Sequence, residues 1–305
     1  VAAVDYAQGC ALFENEATPQ EDSAALLAHA AQLAANADLI VACVGLDATL
    51  EGEEGDAFNA FAGGDKLDLE LPAIQKTLLE TLKSVGKPMI VVVCCGSALN
   101  MTWAHANADA LVYAWYPGEA GGSAVAQLLA GDYSPSGRLP ITIYQSAEDL
   151  PAFEDYSMRG RTYRYFRGEL LYPFGYGLSY TRFAYSDLRV TPVTGGAQAE
   201  VCVENIGPRD ATEILQLYIA ALVRDEDMPQ WQLKQYAAIF LKRGESRQLS
   251  VFLPREAFCV SDDEGVFYLP EGGHRVYVGG SQPDARSRML AGGTVQYADV
   301  WLSEV

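Results

Sequence analysis

The chain has 305 residues, half of them hydrophobic and a fifth charged, with 40 acidic against 21 basic side chains for a net charge of −19. That length points to two domains of ordinary size, and that composition excludes a disordered chain. The acidity disfavours nucleic acid and anionic membranes as partners, since both demand positive charge, and no stretch approaches the roughly 20 apolar residues of a membrane span.

In chain order, VAAVDYAQGC (1–10) reads as a strand leading into a turn, as if the chain began mid-fold. Residues 21–38 carry Ala and Leu at helical spacing with no breaker. LIVACVGL (39–46) is a continuous apolar run of strand length, expected to be buried on both faces. An acidic loop follows, GLDATLEGEEGDAFNAFAGGDKLDLELP (45–72), with Glu51, Glu53, Glu54 and Asp56 crowded together. LPAIQKTLLETLKSVG (71–86) is an amphipathic helix with Pro near its start and Gly at its end. KPMIVVVCCG (87–96) is a second buried strand, and SALNMTWAHANA (97–108) a short helix with Ser97 as its cap. DALVYAW (109–115) is a third strand and GEAGGSAVAQLLAG (118–131) a further helix.

Strands and helices alternating at these intervals predict a parallel sheet covered by helices on both sides. Such sheets bind ligands beyond the carboxyl ends of their strands. The acidic loop shares that rim with CCGSALN and WYPGEAGG. Past residue 137 the texture changes. Residues 156–186 are rich in Tyr, Arg and Gly and suit an ordered crossing rather than a flexible linker. AEVCVENIGP, EILQLYIA, RQLSVFLP and HRVYVGG are short alternating segments of an immunoglobulin-type antiparallel sandwich. The expected division is an α/β domain at 1–150, a crossing at 151–186 and a β-sandwich at 187–305.

Three readings compete for the acidic loop: a solvated surface loop, a cation site, and acid/base chemistry. Glu-Gly-Glu-Glu-Gly-Asp does not match the alternating oxygens of a calcium loop. Crowded carboxyls raise one another's pKa, and one kept protonated near neutrality can protonate a leaving oxygen. Spacing alone does not separate these. The six cysteines show no CxxC and no zinc-type Cys/His spacing. Arg159, Arg161, Arg164 and Arg167 alternate with Tyr163, Tyr165 and Phe166, a pattern suited to acidic partners and stacking between domains. His29, His105 and His274 lie far apart, and no serine sits in a nucleophile elbow, so a triad reading fails. GEAGG lacks the rest of a phosphate-binding motif.

These segments together resemble glycoside hydrolase family 3. The resemblance rests on VGLDATLEGEEGD, AWYPGEAGGSAVAQLLAGDYSPSGRLPIT, RTYRYF, YPFGYGLSYTRFAYS and LKRGESRQLSVFL. It implies an α/β sandwich followed by a fibronectin-III-like domain, without the (β/α)8 barrel that carries the family's nucleophilic aspartate. Family members are retaining exo-acting β-glycosidases, most working without cofactor or metal, on β-linked oligosaccharides or aryl glycosides. This chain alone is then expected to be inactive and to need a barrel domain of the same enzyme. The general acid/base maps best to Glu51, six positions past Gly45, with Glu54 and Glu53 next, while Asp47 and Asp56 are candidates to bind sugar hydroxyls. Many relatives carry Arg after the Gly-Asp of this loop; here Ala57 follows, and Lys66 is the candidate replacement. The LEGEE run looks more like bacterial β-xylosidases or β-glucosidases than fungal glucosidases. A non-catalytic carbohydrate-binding or structural module is the competing reading. Compartment (cytoplasmic or secreted) and homo-oligomerisation stay open.

Overall fold

The computed structural model of the protein describes residues 3–14, 23–52, 66, 68–152, 154–262, 264–291 and 295–302. Contacts divide the chain into two units, residues 1–126 with 144–147 and residues 127–143 with 148–305.

The first unit is built on three parallel strands in the order β1 (Ile40–Gly45), β2 (Met89–Cys94), β3 (Ala110–Tyr113). Ile40 lies opposite Met89 and Ile90 opposite Ala110, so the three carboxyl ends finish along one rim. Helix α1 (Ser23–Asn36) packs on α2 (Ala73–Ser84), which packs on β1. In α2 the buried residues Ile74, Gln75, Leu78, Leu79 and Leu82 recur at helical spacing and form one face. Each buried leucine there stabilises the unit by about 1.5–3 kcal/mol as an upper estimate. Helices α3 (Thr102–Asn107) and α4 (Gly121–Ala130) follow β2 and β3.

Three local expectations change. Residues 3–9 form no strand, and Val4 and Tyr6 are exposed. In β1, Ile40, Ala42 and Val44 are buried but Val41 and Cys43 are exposed. Strand β1 is an edge strand whose inner face meets α2, and its other face is not sealed among the described residues. The helix expected at 97–108 begins only at Thr102. Ser97 is not its cap; instead Asn100 Oδ1 accepts the Thr102 N–H at 3.0 Å and its hydroxyl at 2.6 Å, a side-chain turn that starts the helix.

After α4 come β4 (Ile143–Tyr144), the one-turn helix α5 (Thr162–Tyr165) and β5 (Leu170–Tyr172). The sandwich then forms from β6 (Phe183–Val193), β7 (Gly196–Asn205), β8 (Ala211–Ala221), β9 (Gln232–Leu241), β10 (Ser246–Pro254), β13 (His274–Gly279) and β14 (Gln296–Val300). The short strands β11 (Val260–Ser261) and β12 (Phe267–Tyr268) pair beside it, and α6 (Ala285–Ala291) precedes β14. One sheet runs β10-β7-β6 and the other β14-β13-β8-β9, all neighbours antiparallel. Alternate residues face inward, giving a core of Ala199, Val201, Val203, Leu215, Leu217, Val276 and Val278, among others.

The aromatic and arginine-rich segment packs within this second unit. Tyr163 stacks on Phe174 at 4.1 Å, meets Tyr218 edge-on at 6.2 Å, and accepts the Leu233 N–H at 3.1 Å. Arg159 pairs with Asp227 at 2.7 Å, but both are exposed and contribute little. A buried network is more consequential. Arg138 Nη2 lies 2.6 Å from Glu213 Oε2, Arg138 Nε donates to the Gly280 carbonyl at 3.2 Å, and the Tyr185 hydroxyl donates to Glu213 Oε1 at 2.5 Å.

Candidate active-site rim

The acidic loop leaves β1 at a tightly held point. Gly45 has φ 141°, and a Cβ there would lie 1.8 Å from the Cys94 carbonyl oxygen, so only glycine lets β1 and β2 close at this end. Gln75, 3% exposed on α2, satisfies Gly45 completely: its Oε1 accepts the Gly45 N–H at 2.7 Å, and its Nε2 donates to the Gly45 carbonyl at 2.7 Å. The same Nε2 donates to the Leu12 carbonyl at 2.8 Å. One polar side chain on an apolar helix face thereby pins the root of the loop.

Just beyond, Asp47 turns the chain. Its Oδ1 accepts the Thr49 N–H at 2.8 Å and the Thr49 hydroxyl at 2.5 Å, and its carbonyl accepts the Glu51 N–H at 2.9 Å. That turn aims Glu51 back over the rim. Glu51 Oε2 accepts the Gly96 N–H at 2.7 Å and the Tyr116 hydroxyl, and Oε1 accepts the Ser97 hydroxyl. Lys66 Nζ stands 3.7 Å from Oε1 and donates to the Ala98 carbonyl at 3.1 Å. Loops following all three strands converge on this carboxylate, whose side chain is 11% exposed. A Cβ on Gly96 would lie 2.9 Å from the Tyr116 ring and 3.1 Å from Glu51 Oε2, so the approach requires glycine there too.

The electrostatics follow from these partners. Burial alone would raise the Glu51 pKa, but the Ser97 and Tyr116 hydroxyls, the Gly96 N–H and the Lys66 charge outweigh it and hold the carboxyl below its ordinary value. Hydrogen bonds to a charged group contribute about 1.5–3 kcal/mol each, which is why three of them win over partial desolvation. Among the described residues, the balance of these partners favours the Glu51 anion. Burial pushes the Lys66 pKa down, against the pull of Glu51. Burial and the Glu51 charge push the Cys95 thiol up to about 11, so no thiolate forms beside the rim at neutral pH. The same two causes raise the Tyr116 phenol, which keeps its proton and donates it.

Of the residues singled out from the sequence, the structure places Glu51 and Lys66 together and Asp47 in the turn before them. Glu53, Glu54, Asp56 and Ala57 lie outside the described residues. Among the described residues no group of three His, Cys, Asp or Glu side chains could hold a metal ion. A cavity of about 320 Å³ lies apart from the rim, lined by Glu70, Lys76, Leu79, Asn100 and Trp103 among others. Three of its polar side chains pair with one another: Asn100 Nδ2 donates to Glu70 Oε1 at 2.7 Å, and Lys76 pairs with Glu70. Sequence reasoning missed Gln75, Ser97 and Tyr116 as parts of the site.

Residues 6–180 match the model of the glycosyl hydrolase family 3 C-terminal domain, and residues 213–282 that of a fibronectin type III-like domain. The chain is 42% identical over 228 residues to a xylan 1,4-beta-xylosidase of Xylanibacter ruminicola, covering 74% of this chain and 26% of that protein. It is 33% identical over 271 residues to a periplasmic beta-glucosidase of Salmonella typhimurium, covering 84% and 34%. Among solved structures it superposes on a β-glucosidase of Erythrobacter marinus with a TM-score of 0.80 at 30% identity, covering 98% of this chain and 41% of that one. A family 3 β-glucosidase of Bifidobacterium adolescentis gives 0.78 at 28%, covering 96% and 43%. The chain thus spans between 26% and 43% of the length of these four proteins.

Proposed function

Because the chain belongs to glycoside hydrolase family 3, we propose that it is part of a retaining exo-acting β-glycosidase that removes terminal non-reducing β-linked sugars, and that its acidic loop supplies the general acid/base glutamate. The nucleophilic aspartate is assigned to a barrel domain of the same enzyme. The higher identity to a xylan 1,4-beta-xylosidase supports xylosides over glucosides as substrates.

In this reaction the nucleophilic carboxylate attacks the anomeric carbon while the acid/base carboxyl protonates the departing glycosidic oxygen. The resulting carboxylate then takes a proton from the water that releases the sugar. Retention requires the two carboxyl groups to stand roughly 5–5.5 Å apart. A donor must carry its proton when substrate binds. Glu51, first on sequence grounds, is held as an anion by four partners. This observation supports giving the donor role to Glu53 or Glu54 on the same loop, with Glu51 as their anchor. Asp47 and Asp56 are assigned to sugar hydroxyls.

The test replaces Glu51, Glu53 and Glu54 singly by Gln in the complete enzyme. Loss of the donor slows aryl glycosides with poor leaving groups by about 10²–10⁴-fold, spares activated ones, and lets azide capture the glycosyl-enzyme as a β-glycosyl azide. Glu53→Gln or Glu54→Gln should show this behaviour. If neither does, the donor lies elsewhere. Tight binding of xylose oligomers to this chain without a barrel would favour a binding module instead.

A further inference from the structure

We propose that Glu51 is a positioning residue: its carboxylate latches the start of the acidic loop onto the loops that follow β2 and β3, and so fixes where the loop carries its proton donor. This rests on the reading above that the loop supplies the acid/base.

The latch is a built feature and not a chance surface contact. Both carboxylate oxygens are engaged, Oε1 by Ser97 and Lys66 and Oε2 by Gly96 and Tyr116, from positions up to 65 residues away in sequence. Lys66 ties this carboxylate to the loop after β2 as well, since its ammonium also donates to the Ala98 carbonyl. Trp115 adopts φ 55°, a left-handed conformation that bulky residues rarely take, immediately before Tyr116. Gly96 leaves the space that Tyr116 and Glu51 occupy. The loops after β2 and β3 therefore accept a missing side chain at Gly96 and a left-handed backbone at Trp115 where they meet this carboxylate. A displacement of about 1 Å in a catalytic group costs on the order of 10²-fold in rate, so the latch governs turnover without touching substrate.

Two measurements test it together. In this chain, Glu51→Ala should accelerate exchange of the Gly96 amide at least tenfold relative to the β2 core amides. In the complete enzyme, Glu51→Gln should lower kcat about 10–100-fold on a poor leaving group with KM changed less than threefold, and azide should yield no glycosyl azide. Glu51→Asp should recover part of the loss, and Tyr116→Phe should be less than additive with Glu51→Gln. Formation of glycosyl azide by Glu51→Gln would make Glu51 the donor and overturn the proposal. Unchanged Gly96 exchange, or a kcat within twofold of the unsubstituted enzyme, would overturn it as well. An unsubstituted enzyme inactive on β-glycosides would instead sink the proposed function and the catalytic half of this inference, and the exchange result would still decide the latch.

Discussion

Gln75→Leu removes the side chain that pins the acidic loop to α2, and its cost can be worked from the contacts. Gln75 is 3% exposed and makes three hydrogen bonds, to the Gly45 N–H, the Gly45 carbonyl and the Leu12 carbonyl. Leucine has similar volume, so the packing of α2 survives and the loss is polar. The two Gly45 groups are left buried without these partners at about 1–3 kcal/mol each, while the partly exposed Leu12 carbonyl turns to water. The expected destabilisation of the first unit is about 2–6 kcal/mol, a large share of the roughly 5–15 kcal/mol that holds a domain together. Urea titration read by hydrogen exchange over β1 and β2, with β7 and β8 as internal reference, would measure it. Gln75→Glu separates polarity from shape. Its carboxylate would face two carbonyl oxygens, so that variant should be less stable at pH 7 than at pH 4, where the protonated acid regains a donor. A change under about 0.5 kcal/mol in Gln75→Leu would refute the pinning argument.

Other consequences are equally direct. His274 is 1% exposed, edge-on to Phe258, and burial holds its pKa below the ordinary 6.5 against the pull of the Phe258 backbone. The unfolded chain therefore binds a proton that the folded chain resists. This contribution to stability is full above pH 6.5 and is lost as pH falls below it, by up to about 1.4 kcal/mol at pH 5.5. Thermal scans from pH 7.5 to 5.5 should show the decline, and His274→Leu should flatten it; an equal slope in the variant would contradict the assignment. Arg138→Met strands the Glu213 carboxylate, 4% exposed at its side chain, and should cost about 3–5 kcal/mol in the sandwich unit by urea unfolding. Restoration of stability in the Arg138→Met/Glu213→Leu double variant would confirm that the penalty is the unpaired charge. Gly96→Ala inserts a methyl 2.9 Å from the Tyr116 ring. It should break the Tyr116–Glu51 bond and lower the Tyr116 phenol pKa, visible by tyrosine-labelled carbon NMR; an unchanged titration would show that the rim tolerates the side chain.

What the sequence disclosed, and what it hid, follows from the range of the interactions. Helix α2 was legible because its apolar spacing is local, and β2 because six apolar residues between turn signals have few other uses. The sandwich strands announced themselves by two-residue alternation. The exposure of Val41 and Cys43 was not legible, since an apolar run says nothing about how many faces are covered. The start of α3 depended on Asn100, a side-chain turn inside a segment whose composition favours helix throughout. In the site, the acidic run was conspicuous but its electrostatics were not. Ser97 and Tyr116 lie 46 and 65 positions from Glu51, and only the closed parallel sheet brings them to it. Gln75 left one readable trace, an uncharged polar residue in the apolar stripe of α2. Its partner, the last residue of β1, was invisible without coordinates.

The charge state of Glu51 decides between an anchor and a proton donor, so its carboxyl titration by carbon NMR in this chain is the most direct measurement. An anchor held by Gly96, Ser97, Tyr116 and Lys66 titrates below the ordinary 4.5 of a glutamate, and the Tyr116→Phe substitution moves that midpoint upward. A midpoint well above 4.5, with the carboxyl still protonated near neutrality, would return the donor role to Glu51 and contradict the latch.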